Sequence, residues 1–231
     1  AITTGDYNTA VGALALKTED EAARAVAIGT SALFTQNGGA GTSMNNTGVG
    51  FSAGYYNVSA INNTSIGADA GYYTTGASNT YVGSSAGKGA AGAETGNVGI
   101  GKDALLSVTT GSYNCAMGEL AGDSLTDGLR NVAIGYGALI TSTSTTDCVA
   151  IGKDAMADGN VTTAAVGSVA VGQSALKALV SGAKNTAVGH TAMTANGTGN
   201  ENTAVGYAAG LAVADGGNYN TLIGNQVGGA V

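Results

Sequence analysis

The chain has 231 residues, 40 of them Gly and none Pro or Trp, with 10% charged residues and a net charge of −7. Collagen is excluded because it needs Gly at every third position together with Pro, and high-charge disorder because 44% of the chain is hydrophobic. Eight Lys and Arg leave no basic patch for nucleic acid, and no apolar run reaches the roughly 18 residues that insertion across a membrane requires.

The first element, Asn8 to Leu16, reads Asn-Thr-Ala-Val-Gly-Ala-Leu-Ala-Leu, and its pattern returns to the end of the chain. Anchored on the Gly after the aliphatic residue, the copies fall at Gly12, Gly29, Gly50, Gly67, Gly83, Gly101, Gly118, Gly135, Gly152, Gly172, Gly189, Gly206 and Gly224. Seven of the twelve spacings are 17. Helical repeats need about 33 residues or more, so this period predicts an all-β parallel β-solenoid of about 13 coils, a single repeat domain over 1–231. Each coil is expected to hold two short strands and two bends.

The residue before each anchor is Val, Ile or Met, and the one two places earlier is Thr, Val or Cys. Alternation puts these two on one face, which is read as the coil interior. The Ala between them is then expected on the opposite face, closely approached by another chain or sheet. The anchor Gly supplies a backbone conformation or a close approach that a Cβ forbids. Asn four places before the anchor is expected to stack as a hydrogen-bonded ladder.

Along the chain, Thr18 to Arg24 has capping-box spacing at Thr18 and Glu21 and predicts a turn or a single helical turn. Gln36 to Ser43 and Asp158 to Ala164 break the 17-residue beat and are expected to leave as loops, the first choice for recognition. Tyr55-Tyr56 and Tyr72-Tyr73 lie 17 apart and are therefore neighbours that either contact a glycan or fill a groove between chains. Asp69, Asp103 and Asp154 stand at bends, two places after their anchors. The Asp123-to-Asp127 loop is a weak calcium candidate.

Tyr136, His190 and Tyr207 each follow an anchor, at a position variable enough to face solvent, and Tyr207 is expected to stack one coil above His190. Tyr55, Tyr72, Tyr136, His190 and Tyr207 are the candidate ligand contacts. Cys115 is expected in the interior and Cys148 in the Asn row, both as free thiols. The sequons at Asn57 and Asn160 are read as composition noise.

At Asn202 to Gly210, Asn-Thr-Ala-Val-Gly-Tyr-Ala-Ala-Gly resembles the Gly-rich repeats of bacteriophage tail fibres and of bacterial tail-fibre-domain surface proteins. Ser168 to Gly172 and Val26 to Gly29 are similar to the head repeat of trimeric autotransporter adhesins. The resemblance covers essentially the whole chain and implies a homotrimeric, left-handed β-roll. Such a rod carries or forms a receptor-binding tip on a virion or a bacterial cell surface, with a surface glycan or protein receptor as partner.

Independently of that resemblance, each coil carries only three or four sizeable apolar side chains, few against the entropy of ordering 17 residues. An oligomer of two or three chains follows, and more protein is expected beyond one or both ends. The hexapeptide of left-handed β-helix acyltransferases matches only once per coil instead of about three times, and His190 is the only His. No enzyme activity, metal or cofactor is therefore expected. The leading expectation is an attachment fibre, with a passive spacer or an ice- or mineral-binding solenoid as alternatives.

Overall fold

The computed structural model describes residues 6–19, 21–39, 41–159, 161, 165–211 and 216–228. The chain divides into two compact units, Ala1–Tyr113 and Asn114–Val231. In the first, β1 (Thr9–Val11), β2 (Val26–Ile28), β3 (Thr47–Val49), β4 (Thr64–Ile66), β5 (Thr80–Val82) and β6 (Val98–Ile100) pair in succession, all parallel. In the second, β7 (Cys115–Met117), β8 (Val132–Ile134), β9 (Val149–Ile151), β10 (Val169–Val171), β11 (Thr186–Val188), β12 (Thr203–Val205) and β13 (Thr221–Ile223) do the same. Register is unshifted: Ala133 faces Ala150, and Ile134 faces Ile151. The predicted parallel β-solenoid with a period near 17 is therefore present, and no described residue forms an α-helix.

Among the described residues each coil has one strand, not the two expected. Its other side is a stack of turns. There the second and fourth residues after the anchor take positive φ, as at Ser31 (58°) and Leu33 (47°), or Asp103 (56°) and Leu105 (52°). Alternating handedness rules out a strand, yet it aims successive N–H groups to opposite sides along the stack. Ser31 donates to the Ala13 carbonyl of the coil before, and Leu33 to the Ala53 carbonyl of the coil after, both at 2.9 Å. Backbone hydrogen bonding is thus kept on both sides of the coil without a second sheet.

The strand faces are the reverse of the sequence expectation. The middle residue is the buried one: Ala27, Tyr81, Ala116 and Ala187 have no exposed surface. The flanking Val, Ile, Met and Thr point outward and are half-buried or exposed. Cys115 accordingly lies on the outer face of β7 and is not in the interior. The physical reason is thickness. Inside each coil the strand faces the turn layer directly, and the space between is filled by the fourth residue after the anchor, as with buried Leu16, Leu33, Leu105, Leu139 and Met156. Where that residue is Leu or Met, the strand contributes only Ala or Gly opposite it, as at Ala27, Gly99, Ala133 and Ala150.

The anchor glycines do both things expected of them. Their φ lies between 122° and 138°, and they stack backbone to backbone. A Cβ on Gly67 would come 2.5 Å from the Gly83 carbonyl oxygen.

The Asn row is also present. Asn63 Oδ1 accepts from the Asn79 N–H at 2.8 Å, Asn79 Oδ1 from the Asn97 N–H at 2.9 Å, and each amide nitrogen donates to a carbonyl further along. Cys148 takes an Asn place: its N–H donates to Asn131 Oδ1 and its thiol to the Ala165 carbonyl. Burial pushes that thiol's pKa up, and both cysteines are free.

Two local expectations change. The spacing of Thr18 and Glu21 marks no capping box; buried Glu19 takes the role instead, its Oε1 accepting the Ala22 N–H at 2.7 Å. Gln36 does not begin a projecting loop. It is buried, donating to Glu19 Oε2 and accepting from Asn46 Nδ2. Asn160 and residues 162–164 of the second insertion, with one of the two sequons, lie outside the described residues.

Candidate recognition site

Residues five places after successive anchors stack in one column of the first unit: Lys17, Phe34, Tyr55, Tyr72 and Lys88. The Phe34 and Tyr55 rings are 4.7 Å apart and 7° from parallel, and those of Tyr55 and Tyr72 are 5.1 Å apart and 16° from parallel. A lysine ammonium covers each end, Lys17 at 5.1 Å from the Phe34 ring centroid and Lys88 at 5.7 Å from that of Tyr72. The insertion that lengthens the second coil falls after Phe34, so the column passes it unbroken.

One place further on, Tyr56 and Tyr73 form a second stack at 5.2 Å and 4°. They meet the first edge-on, with centroids 4.7 to 5.4 Å apart. Four tyrosines are thereby locked together, a geometry worth about 0.5–1.5 kcal/mol per pair beyond burial.

This arrangement decides what the rings offer. Between Lys17 and Lys88 the faces of Phe34, Tyr55 and Tyr72 are taken by their neighbours in the column. What they present outward is their edges and, for Tyr55 and Tyr72, the phenol groups. Burial, with the neighbouring tyrosines and Asp69, pushes the Tyr72 phenol above its usual pKa, so it remains a hydrogen-bond donor at neutral pH.

Beside the column runs an open groove, its opposite wall made by Ser31, Ser52 and Asp69, with Phe51 and Tyr73 completing the lining. Lys88 crosses one end to bind Asp69 Oδ2 at 3.0 Å. The other two bend aspartates also pair with lysine, Asp103 with Lys102 at 2.9 Å and Asp154 with Lys153 at 3.9 Å.

The remaining candidates stand in the second unit. His190 and Tyr207 stack at 5.5 Å and 9°, the neighbour relation read from the spacing. Tyr136 is exposed, with Lys153 of the next coil 5.9 Å from its ring centroid. Tyr55 and Tyr72 thus share one groove, whereas Tyr136, His190 and Tyr207 line an edge of the strand face. Among the described residues, no group of three or more His, Cys, Asp or Glu is placed to hold a metal ion. Asn57, the described sequon asparagine, is buried.

Sequence reasoning missed Phe34, Lys17, Lys88 and the two serines. Counting five and two places from every anchor, instead of searching for aromatic pairs, finds all of them.

A second surface is the outward strand face. In the first unit it carries Val11, Ile28, Val49, Ile66, Val82 and Ile100, beside a row with Thr47, Thr64 and Thr80. In the second it runs from Met117, Ile134 and Ile151 to Ile223. None of the described strand residues is charged. Charge is confined to the rim, where Arg130 grips Asp147 through two hydrogen bonds of 2.7 and 3.0 Å and Lys184 lies 3.8 Å from Glu201. Comparison with protein-family models, curated proteins and solved structures gives no match to this chain.

Proposed function

We propose that the chain is a non-enzymatic, homotrimeric fibre segment that mediates attachment to a host or cell surface, of the phage tail-fibre or bacterial adhesin kind. The observation that carries this reading is the outward strand face. In each unit it is an uncharged stripe made mainly of Val, Ile, Met and Thr, and in the second unit a row of ion pairs runs along one side of it. An exposed apolar patch with a polar rim is the anatomy of a protein–protein interface. A solenoid presents identical patches to identical copies, and closed symmetry buries them. The chains therefore meet through the Val/Ile face, with the Ala positions kept inside each coil. The resemblance of the repeat to tail-fibre and adhesin-head repeats supports three chains and an extracellular setting, with a surface glycan or protein as receptor.

The test joins mass and attachment. Light scattering should give about three times the 22.1 kDa chain mass, and the labelled assembly should decorate intact bacterial cells. A folded monomer, or a trimer that decorates no cell in a broad panel, overturns the reading.

One observation favours a second reading. Thr47, Thr64 and Thr80 stand outward in consecutive coils, at the spacing of about 4.8 Å set by strand pairing, so the same face can order water. Thermal hysteresis from a chain that stays monomeric would select an ice-binding role.

A further inference from the structure

The groove beside the tyrosine column combines features the attachment reading does not require. One wall is a row of hydrogen-bonding groups, Ser31, Ser52 and Asp69, each two places after its anchor and each at a positive φ between 52° and 58°. Coil stacking repeats them at about 4.8 Å. Because the fold fixes these backbones, the row is set before any ligand arrives, which limits the ordering cost of binding.

The other wall is the column itself, where Tyr55 and Tyr72 present edges and phenol donors because their faces are occupied. At the mouth, Phe51 is 60% and Tyr73 36% exposed, giving apolar surface for a C–H-bearing face. Charge inside the groove is cancelled. Lys88 and Asp69 pair at 3.0 Å through Oδ2, so the site offers neither a free cation for a phosphate or sialic acid nor a free anion for an amine.

Regularly spaced acceptors and donors, aromatic edges and no net charge match a ligand that is rich in hydroxyls and uncharged, with alternating polar rims and apolar C–H patches. We propose that this groove is a binding site for a neutral oligosaccharide, held by Ser31, Ser52 and Asp69 on one side and by the Tyr55 and Tyr72 phenols on the other. The proposal rests on the attachment reading and names the receptor chemistry for it. Rigid placement also implies selectivity. A site built to pair hydroxyls discriminates strongly against analogues that lack them, because its own polar groups are then left unpaired.

The test uses the full chain on an array of immobilised neutral, sialylated and sulfated oligosaccharides, with the neutral hits re-measured in solution by calorimetry. Two near-isosteric variants, Asp69→Asn and Tyr72→Phe, probe the two walls. Circular dichroism and light scattering establish that each keeps the parent fold and assembly mass. The expected result is binding confined to neutral glycans, with at least a tenfold loss of affinity in both variants. Binding only to acidic glycans, binding to no glycan, or neutral binding that both variants leave unchanged overturns the proposal. Those outcomes are separable from failure of the attachment reading, which appears as a wild-type chain that is monomeric or decorates no cell.

Discussion

Gly67 shows how an anchor glycine meets two demands at once, either of which excludes other residues. At Gly67 φ is 132°, and a Cβ would sit 2.5 Å from the Gly83 carbonyl oxygen, a backbone atom that cannot rotate away. Gly67→Ala should therefore lower unfolding free energy in urea by about 3 kcal/mol or more, combining strain with a forced separation of coils. Gly39→Ala is the contrast. Its φ is 74° but nothing lies within 4 Å, so only the left-handed penalty of about 1–2 kcal/mol applies.

Glu94 is the other residue whose setting dictates behaviour. It is buried, its Oε2 has no hydrogen-bond partner, and burial pushes its pKa up to about 7, with nearby backbone N–H groups pulling part of the way back. A carboxyl whose folded pKa exceeds its unfolded value near 4.5 holds its proton more tightly in the native state. Stability is then fully present below about pH 4.5, falls as pH rises toward 7, and levels off above. The loss should be about 2–3 kcal/mol between pH 5 and pH 8. Asp147, held low by its hydrogen bonds with Arg130, titrates below that window and does not mask it. Glu94→Gln should flatten the dependence of the denaturation midpoint, and an unchanged slope would remove Glu94 as its source.

At the scale of the coil, size is traded across the narrow gap between strand and turn layer. Tyr81 occupies a strand position that most coils give to Ala, and it fits because Gly71, Gly87 and Gly99 surround its ring. Leu33 likewise packs where Gly48 and Gly54 leave room, and Leu222 where Gly228 does. Tyr81→Ala should cost about 3–5 kcal/mol through the cavity it leaves. Gly87→Leu alone should also destabilise, since its Cβ would collide with the Tyr81 ring. Combined, they should be more stable than either effect summed, because Leu at φ near 57° is the normal occupant of this place in other coils, as at Leu105 and Leu139. A double-mutant cycle by denaturation measures that coupling; simple additivity would mean the interior does not trade volume.

This trade also explains what the sequence revealed and what it hid. Period, parallel pairing, anchor role and Asn row were legible because every copy must meet the same backbone constraints. Alternation groups Val11 with Thr9 against Ala10 but does not say which set is inside. Choosing the larger, greasier set was wrong, because the interior is too thin for it. The telling signal is compensation: the two large residues at the Ala position, Tyr81 and Leu222, occur only in coils whose fourth residue after the anchor is Gly, at Gly87 and Gly228, whereas the Val/Ile position shows no such coupling. The lysine-capped tyrosine column was hidden for a different reason, since its members belong together only once the coils are stacked.

At the scale of the whole molecule, the inverted faces move the proposed association from the Ala positions to the outward Val/Ile face. Isoleucines that protrude from a strand contribute little to a lone coil beyond contact with the rows above and below. Their remaining surface is stabilising only when another chain covers it. In the proposed trimer, assembly and folding share a free energy, and mass action should make stability depend on concentration. For three chains the per-chain gain for a tenfold rise in concentration is about 0.9 kcal/mol, two-thirds of the 1.4 kcal/mol that a factor of ten represents. In a domain of this size that corresponds to roughly 2–4 °C in Tm.

Ile66→Lys in the first unit and Ile134→Lys in the second test the origin of the effect. Both positions face outward in the single chain, so a lysine there reaches water and leaves the coil intact, but it cannot be buried unpaired against a second chain. Each variant should retain the parent circular dichroism, lose the higher mass in light scattering, and melt at a temperature independent of concentration. A variant that keeps its mass and its concentration dependence would place the contact on another surface of the coil. Loss of the circular dichroism signal at every concentration would instead mean that the outward face is needed within the single chain.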